Sequence, residues 1–140
     1  MPRPSVVLDT NILVSAHLRT DGIERYVLDL ALNKRLQLFY SASIFEEYEE
    51  VLSRAKFHIA PAKLAEFFSL FRAVGRRVVS KRKLKVSLDA DDDVFLECAE
   101  AAQAQYLVTG NKKHFPDVWG VTRIVNAREL FEQTFHELKQ

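Results

Sequence analysis

The chain has 140 residues, 48% hydrophobic and 28% charged, a balance that suits a globular domain with a buried core and excludes disorder. A formal net charge of +1 gives no global pull toward nucleic acid or an anionic membrane, and a single cysteine, Cys98, excludes an internal disulfide. No segment is apolar for long enough to span a bilayer. Met1-Pro2-Arg3-Pro4 runs into a short strand without the longer apolar stretch of a signal peptide, so a cytoplasmic location is expected.

Apolar runs alternate with helical stripes along the chain. This predicts an α/β fold for residues 1–140 as one domain, with a central, mostly parallel sheet of about five strands flanked by helices. Ser5 to Asp9 reads as the first strand and Asn11 to Leu18 as a short helix, followed by a turn at Asp21-Gly22. Ile23, Tyr26, Val27, Leu30 and Ala31 repeat at helical spacing. Leu36 to Tyr40 is the second strand, and Ser43 to Ser53 a helix with Ile44, Tyr48, Val51 and Leu52 on one side. Pro61 opens another helix, a favourable first-turn position, whose Phe67, Phe68 and Phe71 suit either the core or a docking ridge. Arg77 to Ser80 is the third predicted strand, Asp91 to Gln103 a helix, Tyr106 to Thr109 the fourth strand and Thr122 to Val125 the fifth. The last helix runs from Ala127 to Leu138, with Leu130, Phe131, Thr134 and Phe135 on its apolar side. Cys98, spaced from Phe95 and Ala102, reads as a small core residue.

Four carboxylates sit where a fold alone does not need them. Asp9 ends the run Val6-Val7-Leu8, and Glu47 shares a helix face with Ile44, Tyr48 and Val51, whereas Glu46, Glu49 and Glu50 fall on the opposite side. Asp91 and Asp92 both lie on the apolar side of the helix that carries Phe95, Leu96, Ala99 and Ala102, while Asp93 lines up with Glu97 and Glu100 and is expected to face solvent. Each has a plainer reading: Asp9 as a helix cap, Glu47 as a stripe-edge side chain reaching water, the aspartates as favoured first-turn charges. Asn111 follows the fourth strand as Asp9 follows the first, and ligands of open parallel sheets gather beyond such carboxyl ends. Together these oxygen donors read as a site for a hard cation, Mg²⁺ or Mn²⁺, and no Cys/His set has zinc spacing. The basic run Arg76, Arg77, Lys81, Arg82, Lys83 and Lys85 is either a solvated face or a hold on a polyphosphate backbone.

Four segments in this order carry a family resemblance: Val7-Leu8-Asp9-Thr10-Asn11, Glu47-Tyr48-Glu49-Glu50-Val51-Leu52-Ser53-Arg54, Asp89-Ala90-Asp91-Asp92-Asp93-Val94-Phe95-Leu96, and Leu107-Val108-Thr109-Gly110-Asn111-Lys112-Lys113-His114-Phe115. The chain resembles the PIN-domain nucleases over nearly its whole length, especially the small prokaryotic proteins of toxin–antitoxin modules. The resemblance implies a single PIN domain that hydrolyses RNA phosphodiester bonds with Mg²⁺ or Mn²⁺. Asp9, Glu47 and Asp92 would hold the metal, and Asn111 would complete the catalytic set. Thr10, Asn11, Asp91 and Thr109 would orient ligands or substrate. Arg76, Arg77, Lys81, Arg82, Lys83, Lys112 and Lys113 would contact the RNA backbone, which positions without specifying sequence. A homodimer and a small inhibiting antitoxin are expected partners.

One departure stands out. Many family members have aspartate where this chain has Asn111, which removes a negative charge and puts a two-metal mechanism in doubt. A catalytically decayed RNA-binding or regulatory module is therefore the alternative reading. A phosphatase using Asp9 as a nucleophile ranks below both, because Thr10-Asn11 follows where that chemistry wants a second acid.

Overall fold

The structure, a computed structural model, describes residues 3–86 and 89–139, so Met1 and Pro2 of the expected lead-in lie outside the described residues. In chain order the elements are β1 (Ser5–Leu8), α1 (Thr10–Leu18), α2 (Ile23–Leu32), β2 (Gln37–Tyr40), α3 (Ala42–Leu52), α4 (Pro61–Val74), β3 (Arg76–Arg77), α5 (Ala90–Ala102), β4 (Tyr106–Val108), β5 (Val118–Trp119), β6 (Thr122–Val125) and α6 (Ala127–Lys139). Short 3-10 turns lie at Ala55–Phe57 and Lys112–His114. The strands form one sheet in the order β3-β2-β1-β4-β6-β5, parallel except for the β5–β6 hairpin.

This order explains where a site can form. From β1 the chain steps outward through β2 to β3, then returns to add β4 on the other side of β1. The strand order therefore reverses between β1 and β4, and a crevice opens beyond their carboxyl ends. The register pairs Leu8 with Val108, so Asp9 and Thr109 leave the sheet side by side. Val6, Val7 and Leu8 are fully buried, as a central parallel strand covered on both faces requires.

The core explains the aromatic ridge. Phe71 is fully buried and its ring meets those of Tyr40, Phe45 and Tyr48 within 5.4–6.2 Å. Phe68 is buried beside Phe45, while Phe67 is half-buried and meets His17 edge-on. The ridge is thus mainly core. Gly75 ends α4 where a Cβ would sit 3.1 Å from the Tyr40 ring, so any side chain there would have to push that ring aside by a few tenths of an ångström.

Three expectations need correction. The third strand is Arg76–Arg77 rather than Arg77 to Ser80, because after one further bond, Val78 N to Tyr40 O at 2.8 Å, the chain leaves the sheet. A sixth strand, Val118–Trp119, is too short to show an alternating pattern and exists only by pairing with β6, across a turn where Gly120 adopts φ +58°. Asp93 does not face solvent. It is buried, and its Oδ1 accepts a hydrogen bond from Val86 N at 3.3 Å, because residues 82–86 cover that side of α5.

Candidate active site

Asp9 follows β1 directly, and its backbone N–H donates to Val108 O at 2.9 Å, so the sheet itself fixes its Cα. The carboxylate is buried, and its Oδ2 accepts from Thr109 Oγ1 at 2.6 Å and Asn11 Nδ2 at 3.2 Å. Asn11 also ties the two strand ends together, since its Oδ1 accepts from Gly110 N at 3.0 Å. Thr109, fully buried, accepts in turn from Asn111 N at 3.0 Å. Of Thr10 and Asn11, both expected to orient ligands or substrate, Asn11 is the one whose side chain reaches Asp9. Thr10 instead donates its hydroxyl to Glu47 Oε2.

α3 brings Glu47 to this point. Ser41 caps the helix, its Oγ accepting from Ile44 N, and Tyr48, fully buried one residue after Glu47, donates to Leu8 O at 2.5 Å. This bond fastens α3 to the last residue of β1, and sequence reasoning missed it because a stripe tyrosine looks like any other core aromatic. α5 supplies the third carboxylate. Asp89 caps it, its Oδ1 accepting from Asp91 N at 3.0 Å, and the helix turn then separates two residues that periodicity could not: Asp91 is exposed, Asp92 half-buried. Asp92 Oδ2 lies 3.0 Å from His114 Nδ1, a contact sequence reasoning also missed, although His114 lies within the fourth motif.

Asp9, Glu47 and Asp92 lie within electrostatic reach of one another. Burial raises the Asp9 carboxyl above its usual range against the pull of Thr109, and the charge of Asp92 raises it further. Burial also raises Glu47, opposed by Thr10 and reinforced by Asp9, Asp91 and Asp92. Asp92 is raised by burial, with His114 opposing and Asp89 and Asp91 adding. Hard oxygen donors sharing unfavourable negative charge are the chemistry of a divalent cation site. Among the described residues, however, no three His, Cys, Asp or Glu side chains stand together as a closed metal-ligand set. Each carboxylate instead takes a hydrogen-bonding partner of its own, as like charges do when they repel.

Around this crevice, Asn111 is exposed and begins the 3-10 turn. Two hollows of about 350 and 410 Å³ flank it, one lined by Asn11 and Glu24, the other by Lys113 and His114. Lys112 is tied to Glu129 at 3.0 Å, and Arg82 forms a fork with Glu100 at 2.5 and 2.8 Å. Arg76, Arg77, Lys81, Lys83 and Lys113 are exposed. A wider groove of about 640 Å³, lined by His17, Phe57, Phe67 and Leu70, includes none of the converging carboxylates. Cys98 is fully buried, and burial pushes its thiol up to about 12, which suits a core residue and not a nucleophile. No helix among the described residues is long and apolar enough to cross a membrane.

Comparison with known proteins agrees with this arrangement. A family model described as PIN domain matches residues 5–113, a span that includes Asp9, Glu47, Asp92 and Asn111. An uncharacterized protein of Methanocaldococcus jannaschii is 26% identical over 110 residues, covering 76% of this chain and 70% of its own length. A chain in the crystal structure of VapBC2 from Rickettsia felis, bound to a DNA fragment from their promoter, shares the fold with a TM-score of 0.55. That match has 18% sequence identity and covers 86% of this chain and 98% of the other.

Proposed function

The chain belongs to the PIN domain family, and on that premise we propose that it is a metal-dependent ribonuclease that hydrolyses RNA phosphodiester bonds. The observation that carries this reading is the convergence of Asp9, Glu47 and Asp92, from three separate elements, beyond the ends of β1 and β4. Mg²⁺ or Mn²⁺ held by these three would supply Lewis acidity, activating water and offsetting charge on the phosphate. The chain's own residues do the positioning. Thr109 and Asn11 hold Asp9, Thr10 holds Glu47 and His114 holds Asp92. Asn111, at the rim, completes the set as a neutral donor, and Asp91 adds negative charge that favours cation binding. Arg76, Arg77, Lys81, Lys83 and Lys113 contact RNA phosphates, whereas Arg82 and Lys112 are already engaged with Glu100 and Glu129. The protein acts in the cytoplasm as a homodimeric toxin restrained by a small antitoxin. Support for the antitoxin is the shared fold with a chain of the VapBC2 complex.

The test is cleavage of single-stranded RNA with Mg²⁺ or Mn²⁺ by the wild-type protein and by Asp9→Asn and Asp92→Asn. Cleavage by the wild type and loss in both variants is expected; undiminished turnover in both ends the assignment. A decayed RNA-binding module is the second reading, favoured by Asn111 and by the absence of a closed ligand set among the described residues. RNA binding with no cleavage under any divalent ion would select it.

A further inference from the structure

The corrected place of Asp93 exposes a feature of α5 that the site does not explain. Asp93, Glu97 and Glu100 form one stripe at i, i+4 and i+7, and each holds part of the chain that runs before the helix. Arg82 forks onto Glu100, Leu84 N donates to Glu97 Oε2 at 2.9 Å, and Val86 N donates to Asp93 Oδ1. The contacts run antiparallel. Leu84 is buried and Arg82 reaches Glu100, while Lys81, Lys83 and Lys85 are exposed. None of these three lysines is in an ion pair among the described residues.

A loop that only joined β3 to α5 would not need three carboxylates to fix it. What they fix is the backbone that carries a row of cations, so the chain is ordered there before any ligand arrives. A cleft of about 440 Å³ runs beside the row, lined by Ser43, Arg77, Lys81, Lys83 and Glu97. Ser43 is one helical turn, about 5.4 Å, before Glu47 on the same side of α3, and Val94 and Glu97, also in the lining, lie on α5 with Asp92. The cleft is thus walled in part by α3 and α5, the helices that carry Glu47 and Asp92.

The geometry points to residues 81–86 as a preformed guide for single-stranded RNA, in which Lys81, Lys83 and Lys85 hold the phosphate backbone. Asp93, Glu97 and Glu100 are the positioning residues that seat the guide on the helix of Asp92. This rests on the nuclease reading above and extends it to a substrate path. The test is anisotropy of a short fluorescein-labelled single-stranded RNA with Asp9→Asn protein in EDTA, titrated at about 50 to 200 mM salt. Replacing Lys81, Lys83 and Lys85 together by alanine is expected to weaken binding tenfold or more. It should also make the log–log salt slope shallower by roughly 2, about 0.7 per phosphate contact. In the cleaving protein the same variant raises KM and leaves kcat within about twofold, which a structural defect would not do. Glu97→Ala, which unseats Leu84, weakens binding several-fold, and Glu97→Gln, which keeps an acceptor, restores it.

Unchanged affinity and slope in the triple variant overturn the guide, as does a loss confined to duplex DNA. A Glu97→Ala variant that binds like wild type overturns the positioning role. These outcomes are separate from the nuclease reading, which falls if the wild type cleaves with no divalent ion or if Asp9→Asn and Asp92→Asn still cleave.

Discussion

Replacing Asp9 by asparagine removes a buried charge and keeps the shape of the side chain. Thr109 Oγ1 and Asn11 Nδ2 both address Oδ2, so an amide with its oxygen in that position keeps both bonds and puts NH₂ in place of Oδ1. What disappears is a carboxylate that burial and Asp92 both disfavour. Relief of one incompletely compensated buried group is worth about 1–3 kcal/mol. At about 2.1 cal/mol/K per residue, a 140-residue chain gains roughly 3 °C in Tm per kcal/mol. Without divalent ions at neutral pH, Asp9→Asn should therefore melt about 3–10 °C above wild type in a thermal-shift assay.

The gain depends on pH in a fixed direction. Because the folded-state pKa is raised, the wild type escapes the charge penalty below the ordinary value of 3.8 and bears it fully once pH exceeds the raised one. The Tm difference should close toward pH 3.8 and open as pH rises. Mn²⁺ should reverse it, since a ligand at a hundredfold excess over its Kd stabilises the wild type by about 2.7 kcal/mol and has less to bind in the variant. An Asp9→Asn variant less stable than wild type at neutral pH without metal would refute the reasoning and make Asp9 a structural anchor.

Tyr48→Phe leaves the Leu8 carbonyl without its hydroxyl donor and should cost about 1–3 kcal/mol, read as a lower urea midpoint with unchanged m. Asn111→Asp adds a fourth negative group at the rim and should tighten Mn²⁺ binding about tenfold by calorimetry, while lowering Tm without metal. Unchanged affinity would show that residue 111 does not face the cation. Cys98, fully buried with its thiol raised to about 12, should resist labelling by a thiol reagent at pH 8 in the native protein and react fully in urea. Rapid native labelling would mean that α5 opens.

Much of this protein is set by local pattern. Strands β1 and β4 announce themselves as apolar runs because a strand buried on both faces has little polar side to show, and β2 and β6 are still legible around Gln37 and the exposed Arg123. The helices follow their apolar stripes, and Asp9 is visible because a charge at the end of a buried strand is anomalous. The order of four motif segments was likewise enough to suggest the family to which residues 5–113 belong.

Tertiary structure decided the rest, because partners distant in sequence leave no periodic trace. Strand order alone placed the crevice between β1 and β4, and so brought residues 9 and 109 side by side. Periodicity put Asp91 and Asp92 on one side of α5, and only the folded helix turn left the first exposed and the second against His114. Asp93 is the clearest case: helical phase turned it outward correctly, but a neighbouring stretch of chain replaced the water there. A sequence gives the direction a side chain takes from its own backbone, and the rest of the fold determines what it meets.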